Sequence, residues 1–362
     1  MNGPTELNRR RLLIGAAVGL AALGGLYFLI PKLAGLNQTW GQLKHGDPVM
    51  LAVAAVLELG SICGYAVLFA TVFGRDAPRI NWRAAIQIPL AGIAAIRLLA
   101  AAGAGGVAVT AWALHRAGMS PGLIACRMVA SYVIQYFIYL AALVGCGLGL
   151  HYGLFAGGGP VELTLLPALL SVAAIVLVAS MAFVPGDFRR RLEGLSRRRG
   201  RVGRLAARLA SAPEVLGSGV RTAIALFRQG RVGVLGGFIY WGCDIAVLGL
   251  CFRAFGSVVP LAVLIMGYFL GTLGSLLPLP GGIGGVEGGM IGAFVAFGLP
   301  GGRAVVAVLA YRAISFWLPT LPGIGGYLSL RKTVRAWQAD DEQAGLERRP
   351  GAPDSVVVAQ PK

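Results

Sequence analysis

The sequence predicts an all-α polytopic membrane protein, with about six full transmembrane helices plus two broken re-entrant hairpins arranged as an inverted repeat. Three observations predict it. Of 362 residues, 56% are hydrophobic and 13% charged, mean hydropathy is +0.73, and the apolar residues gather in runs long enough to cross a bilayer. Two apolar segments are interrupted by proline, glycine and charge, which a continuous membrane helix would not carry. Arginine and lysine collect in alternate connections.

Taken in chain order, the first run, 12–30, follows Arg9, Arg10 and Arg11. This start has the look of a twin-arginine export signal, but the run is long enough to span, and basic residues ahead of it favour an uncleaved anchor with its N-terminus inside. The next full crossing is 49–73. An interrupted segment, 84–118, contains Pro89, Arg97 and a glycine-rich break that includes Gly103 and Gly105. Crossings at 123–150 and 163–185 follow, then a basic connection at 186–232, where Phe188 to Leu209 reads either as a basic amphipathic helix on the inner leaflet or as a solvated loop. After the crossing at 233–252 comes a second interrupted segment, 260–298, and a last crossing at 303–330. Residues 338–362 are polar and aperiodic and predict a disordered tail.

The second interruption is the most informative. Residues 276–292 place Pro278, Pro280, Gly281, Gly282 and Gly284 ahead of a lone carboxylate, Glu287. The prolines remove backbone donors and each glycine weakens a helix by about 1 kcal/mol, so the chain must unwind. In hydrocarbon this is tolerated only where the freed groups face protein or a wet cavity.

If both interrupted segments enter and leave on one side, the inside segments carry 22 Arg and Lys and the outside segments 4. That bias places both termini on the cytoplasmic side of the inner cell membrane. It also makes residues 49–150 and 233–330 two units of opposite orientation within a single transmembrane domain, 1–337. Inverted repeats with a broken element in each half are the build of alternating-access transporters, whose site lies between the breaks.

The formal charge of +17 sits in loops between spans, where it meets lipid headgroups, so no nucleic-acid partner is expected. The five cysteines lie in apolar segments without C-x-x-C pairing, and the three histidines are scattered. Neither a metal site, a cofactor nor a soluble-type catalytic triad is signalled.

Six ionisable residues fall within apolar segments and should face inward: Glu58, Arg97, Arg127, Asp244, Glu287 and Arg312. Arg97 and Arg312 are candidate phosphate ligands, since guanidinium keeps its charge and forks onto two oxygens. Alternatively they are structural partners of Glu58 or Asp244. Arg127 is close enough to a helix end to snorkel. Glu287 either orients an arginine or engages a headgroup or proton at the floor of a cavity, or stabilises the N-terminus of a half-helix 287–298. Tyr132, Tyr136, Tyr311 and Trp317 read as packing or interface aromatics.

The run Pro278-Leu-Pro-Gly-Gly-Ile-Gly-Gly-Val-Glu287, followed by Gly298-Leu-Pro300 and Ala310-Tyr-Arg312, resembles the lysylphosphatidylglycerol synthase transmembrane region, a family also described as flippase-like. The resemblance covers about residues 10–335, with its specific motif confined to 276–317, and by similarity Gly281, Gly282, Gly284, Glu287 and Arg312 carry the pattern. It implies a lipid translocase with anionic or zwitterionic membrane lipids as partners. The separate acyltransferase domain of aminoacyl-lipid synthases has no counterpart after the last span, so a non-enzymatic protein is expected. Two other functions stay open: a membrane-embedded transferase using Asp47 or Glu287 as base, and a scaffold for envelope or lipid-biosynthesis enzymes. A homo-oligomer is compatible with each.

Overall fold

The structure is a computed structural model that describes residues 46–75, 77, 79–98, 104–183, 212–276 and 282–347. It is helical throughout these residues. The anchor at 12–30 and the stretch Phe188 to Leu209 lie outside them.

Among the described residues, five helical stretches are long and apolar enough to cross a membrane. Helix α1 is Pro48–Phe73, begun by Asp47, whose side chain accepts from the Val49 and Met50 N–H groups. Its 26 residues extend about 39 Å, which exceeds a hydrocarbon core of about 30 Å. Next come the shorter α2, Trp82–Leu98, and α3, Ala104–Arg116, then the long α4, Pro121–His151, and α5, Val161–Ser180. On α5, Leu166, Leu169, Leu170, Val176 and Leu177 are all exposed, as suits a helix at the lipid boundary.

The connection expected at 186–232 contains a further helix, α6, Ala212–Arg228. Val220, Ala223 and Leu226 are buried on it, and Phe227 meets Phe137 of α4 edge to face. The cause is a stripe at helical spacing (Leu216, Val220, Ala223, Phe227) that the surrounding arginines obscure in sequence.

The second half repeats the order: α7, Leu235–Ala254; the short α8, Leu261–Thr272, and α9, Gly285–Ala296; then α10, Gly301–Arg312, and α11, Leu318–Glu347. The crossing expected at 303–330 is not one regular helix, because Ala313–Trp317 forms a π-helical turn between α10 and α11. Helix α11 also runs on to Glu347, so residues 338–347 are helical where a disordered tail was expected. Buried Trp337 and the Arg79–Asp341 ion pair (2.9 Å) tie that extension to the α1–α2 connection.

Helices α1 and α7 are antiparallel: the Asp47 N–H donates to the Ala254 carbonyl at one end, and Thr71 abuts Gly233 at the other. They cross at Gly64 and Gly236, where a Cβ on Gly236 would lie 2.4 Å from the Gly64 carbonyl oxygen. Lipid tails offer no hydrophobic drive for helix association, so this backbone-to-backbone approach supplies the packing.

The two hairpins enter from opposite ends. Arg79, His115, Arg116, Gln338 and Asp341 surround one cavity, so both open ends of α2–α3 lie beside the end of α11. The open ends of α8–α9 meet the α4–α5 loop instead, with Val263 against Gly157 and Phe297 against Gly159. Each hairpin leads into the following helix by the same turn. Gly118 (φ +97°) and Gly298 (φ +88°) stand in the left-handed region, with the next residue's N–H reaching back to Leu114 and Phe294 carbonyls respectively. The buried side chains form two clusters accordingly, one around α2–α3 with Phe69, Phe73 and Trp337, the other around α8–α9 with Phe252, Tyr268 and Phe294.

Candidate functional site

Helices of 12 to 17 residues reach only about 18 to 25 Å, so the hairpin tips end partway through a bilayer. Arg97 sits at the tip of α2, and Glu287 in the first turn of α9. Both tips converge on the π turn.

Glu287 is 4% exposed and performs both roles the sequence left open. Its Oε2 accepts from the Gly284 N–H (2.7 Å), capping α9, and its Oε1 accepts from Arg312 Nε (2.6 Å). Gly282 (φ +68°) and Gly284 (φ +85°) make the turn that delivers α9 to this point, and the helix starts at Gly285, two residues before the expected 287. Because Glu287 satisfies the cap itself, an incoming anion would compete with it for the helix N-terminus. Pro278, Pro280, Gly281 and Gly103 lie outside the described residues. Gly105 is not part of a break, since it is buried in the first turn of α3.

Arg97 does not pair directly with an acid. Its guanidinium donates to the Phe316 carbonyl, to the Ser315 carbonyl (2.7 Å) and to Thr320 Oγ1 (3.1 Å). A π turn shifts carbonyls out of the regular ladder, which is why this segment can offer two of them to one side chain. Arg97 and Arg312 each lie 5.0 Å from the centroid of the same Phe316 ring. Two cations thus share one aromatic face system at mid-depth, each gaining about 1 kcal/mol from the ring and both repelling one another.

Asp244 is buried on α7 and accepts from Tyr268 of α8 and from Tyr311 of α10 (3.0 Å). The expected arginine partner is absent from this set; two phenols take its place. Tyr311 is therefore a buried donor and not an interface aromatic, and Tyr268 carries a role the sequence reading missed. The available signal was its place inside the apolar run Leu-Ile-Met-Gly-Tyr-Phe-Leu, where a buried tyrosine needs an acceptor. Glu58 of α1 is 4% exposed; its carboxyl faces that of Asp244, and its Oε2 has no hydrogen-bond partner among the described residues.

Arg127 is half-buried two turns into α4, near the end of the bundle that holds α6. Asp47 is engaged as the α1 cap. An apolar groove of about 810 Å³ between α4, α5 and α6, lined by Tyr132, Tyr136, Phe137 and Ile224 among others, lies apart from the charged cluster.

Residues 12–323 match the family model described as "Lysylphosphatidylglycerol synthase TM region". The chain belongs to this family. It is also 28% identical over 324 residues to a UPF0104 membrane protein of Methanothermobacter thermautotrophicus, covering 85% of this chain and 92% of that one. A shorter match, 36% identical over 95 residues, is to a UPF0104 membrane protein of Pyrococcus horikoshii and covers 26% and 28% of the two chains. In this member of the lysylphosphatidylglycerol synthase transmembrane-region family, the motif residues Gly282, Gly284, Glu287 and Arg312 occupy one corner of the charged cluster.

Proposed function

We propose that the protein is a lipid translocase: a phospholipid or other polar-headed lipid passes its headgroup between the two hairpin tips while its tails remain in the bilayer. The observation that carries this reading is the convergence on Phe316 of Arg97, from the tip of one hairpin, and Arg312 of α10, which is paired with Glu287 of the other, oppositely directed hairpin. A phosphate held there exchanges one hydration shell for two forked donors, and either hairpin can withdraw to open the route on its own side. Arg312 exchanges Glu287 for the headgroup, and Arg97 exchanges the carbonyls of the π turn. Membership of the family supports the reading, as do the two oppositely directed hairpins.

In this reading the protein performs no covalent chemistry, resides in the inner cell membrane and keeps both termini cytoplasmic, following the arginine bias. Glu287 is engaged by Arg312 and by a backbone N–H, which does not suit a general base. The test is asymmetric reconstitution with labelled anionic and zwitterionic lipids. Transfer above protein-free vesicles, reduced at least tenfold in Arg312→Ala and Arg97→Ala, is the expected result; no transfer across a broad lipid panel refutes it.

A further inference from the structure

We propose that Glu58 and Asp244 form an exchangeable proton site, with the proton resident on Glu58, and that an anionic headgroup at Arg97 and Arg312 promotes proton uptake there. The coupling half of this proposal rests on the headgroup reading above; the proton site does not.

The hydrogen bonds divide the roles of the two acids. Asp244 accepts a phenolic O–H on each carboxylate oxygen, Oδ2 from Tyr268 and Oδ1 from Tyr311. Both Asp244 oxygens therefore have donors without a proton of its own. Glu58 has the opposite surroundings. It is 4% exposed, its Oε2 is buried without a partner, and it faces the Asp244 carboxyl. An anion in that position would leave a full charge on an unsatisfied oxygen beside a like charge. A neutral acid donating its proton towards Asp244 leaves only a carbonyl oxygen unpaired, a far smaller cost.

The groups facing the pair come from α7, α2, α8 and α10. They are Tyr240, Cys243 and Cys251 on α7, Arg97 on α2, Tyr268 on α8, and Tyr311 and Arg312 on α10. Arg97 acts on Glu58 and also belongs to the headgroup site, so it links the two. In this structure it is committed to the π-turn carbonyls and leaves Glu58 unpaired. Loss of the Glu58 proton creates a negative charge that draws Arg97 back from the headgroup position. Protonation releases Arg97. With Glu58 ionised and no headgroup the five side chains Glu58, Asp244, Arg97, Arg312 and Glu287 sum to −1, and with Glu58 protonated and a monoanionic headgroup bound the site including that headgroup again sums to −1, so neither ion adds a net buried charge. Two carboxyls and two phenols at one point also fit a proton better than a metal cation, which would need about six oxygen ligands.

The experiment is infrared difference spectroscopy of the full chain in vesicles, following the carbonyl stretch of a protonated carboxylic acid as pH is varied. In neutral phosphatidylcholine vesicles the wild type should show this band near neutral pH, and Glu58→Gln should lose it. Asp244→Asn, which removes the facing charge, should keep the band and move its titration to lower pH; this variant tests the site even if Glu58→Gln does not fold. Adding phosphatidylglycerol should move the wild-type titration up by about one pH unit, a tenfold coupling, and Arg312→Ala should abolish that movement while keeping the band. Absence of a Glu58-dependent band in phosphatidylcholine overturns the proton site whatever the protein transports. A band insensitive to phosphatidylglycerol overturns the coupling, and its persistence in phosphatidylcholine then locates the failure in the headgroup reading.

Discussion

Removal of the Glu287 side chain gives the sharpest test of the hairpin-tip geometry, because two distinct interactions end on one carboxylate. Glu287→Ala takes away the acceptor for Arg312 Nε (2.6 Å) and for the Gly284 N–H (2.7 Å). Breaking a buried ion pair from one side costs about 3 to 5 kcal/mol; Arg312 retains 15% side-chain exposure, which favours the lower end. The lost cap adds about 1 kcal/mol. The expected destabilisation is therefore about 4 kcal/mol for Glu287→Ala. Glu287→Gln retains an oxygen for the Gly284 N–H and loses only the charge, so about 2 to 3 kcal/mol is expected. Paired with Arg312→Met, Glu287→Gln should lose most of its penalty, since removing both buried charges is close to neutral. Equilibrium unfolding by sodium dodecyl sulfate in mixed micelles, followed by tryptophan fluorescence, reads the wild type, Glu287→Ala, Glu287→Gln, Arg312→Met and the Glu287→Gln/Arg312→Met double variant. Additive effects of the two single changes, with a coupling below about 0.5 kcal/mol, would refute the ion pair as the element that fixes α9 to α10.

Other expectations follow from the same structure. Tyr268→Phe and Tyr311→Phe should each cost about 1 to 3 kcal/mol by leaving one Asp244 oxygen unsatisfied, and Asp244→Asn in the double background should recover part of it in the same unfolding assay. Gly271→Ala places a Cβ 2.1 Å from Met290 Cγ and 2.6 Å from its Cα, so α8 and α9 must separate, at about 1 to 3 kcal/mol. Gly242→Ala, with nothing within 4 Å on the exposed face of α7, should instead stabilise by about 0.5 to 1 kcal/mol. Single cysteines at 82 and 116 should label with membrane-impermeant maleimide from one side of sealed vesicles, and those at 261 and 299 from the other. Labelling of 82 and 116 from opposite sides would mean that α2–α3 crosses the membrane fully.

Much of the architecture was legible because membrane helices announce themselves locally. Run length gave α1, α4, α5 and α7 to within a few residues, and the glycine and proline interruptions gave the two hairpins, since both signals are written in consecutive residues. Glu287 was singled out because a carboxylate in an apolar segment needs a reason, and Arg312 for the same cause. The π turn was not legible: Ala313–Trp317 contains no proline or glycine, and Arg97, which takes its freed carbonyls, lies more than two hundred positions earlier. Helix α6 was hidden by the arginines around it, and the helical extension to Glu347 by the charge of a segment that packs through Trp337.

By itself the sequence determined that this chain lies in a membrane, where it breaks, and which charges in its apolar runs need a reason to be there, because burial in hydrocarbon penalises each polar group wherever the fold happens to put it. Which charge meets which was decided only in three dimensions. Arg312 took Glu287 and Asp244 took two tyrosines, and Glu58 was left facing a like charge. Those pairings depend on how far each hairpin reaches and on the Gly64–Gly236 crossing that sets α1 against α7, distances that no spacing along one chain encodes.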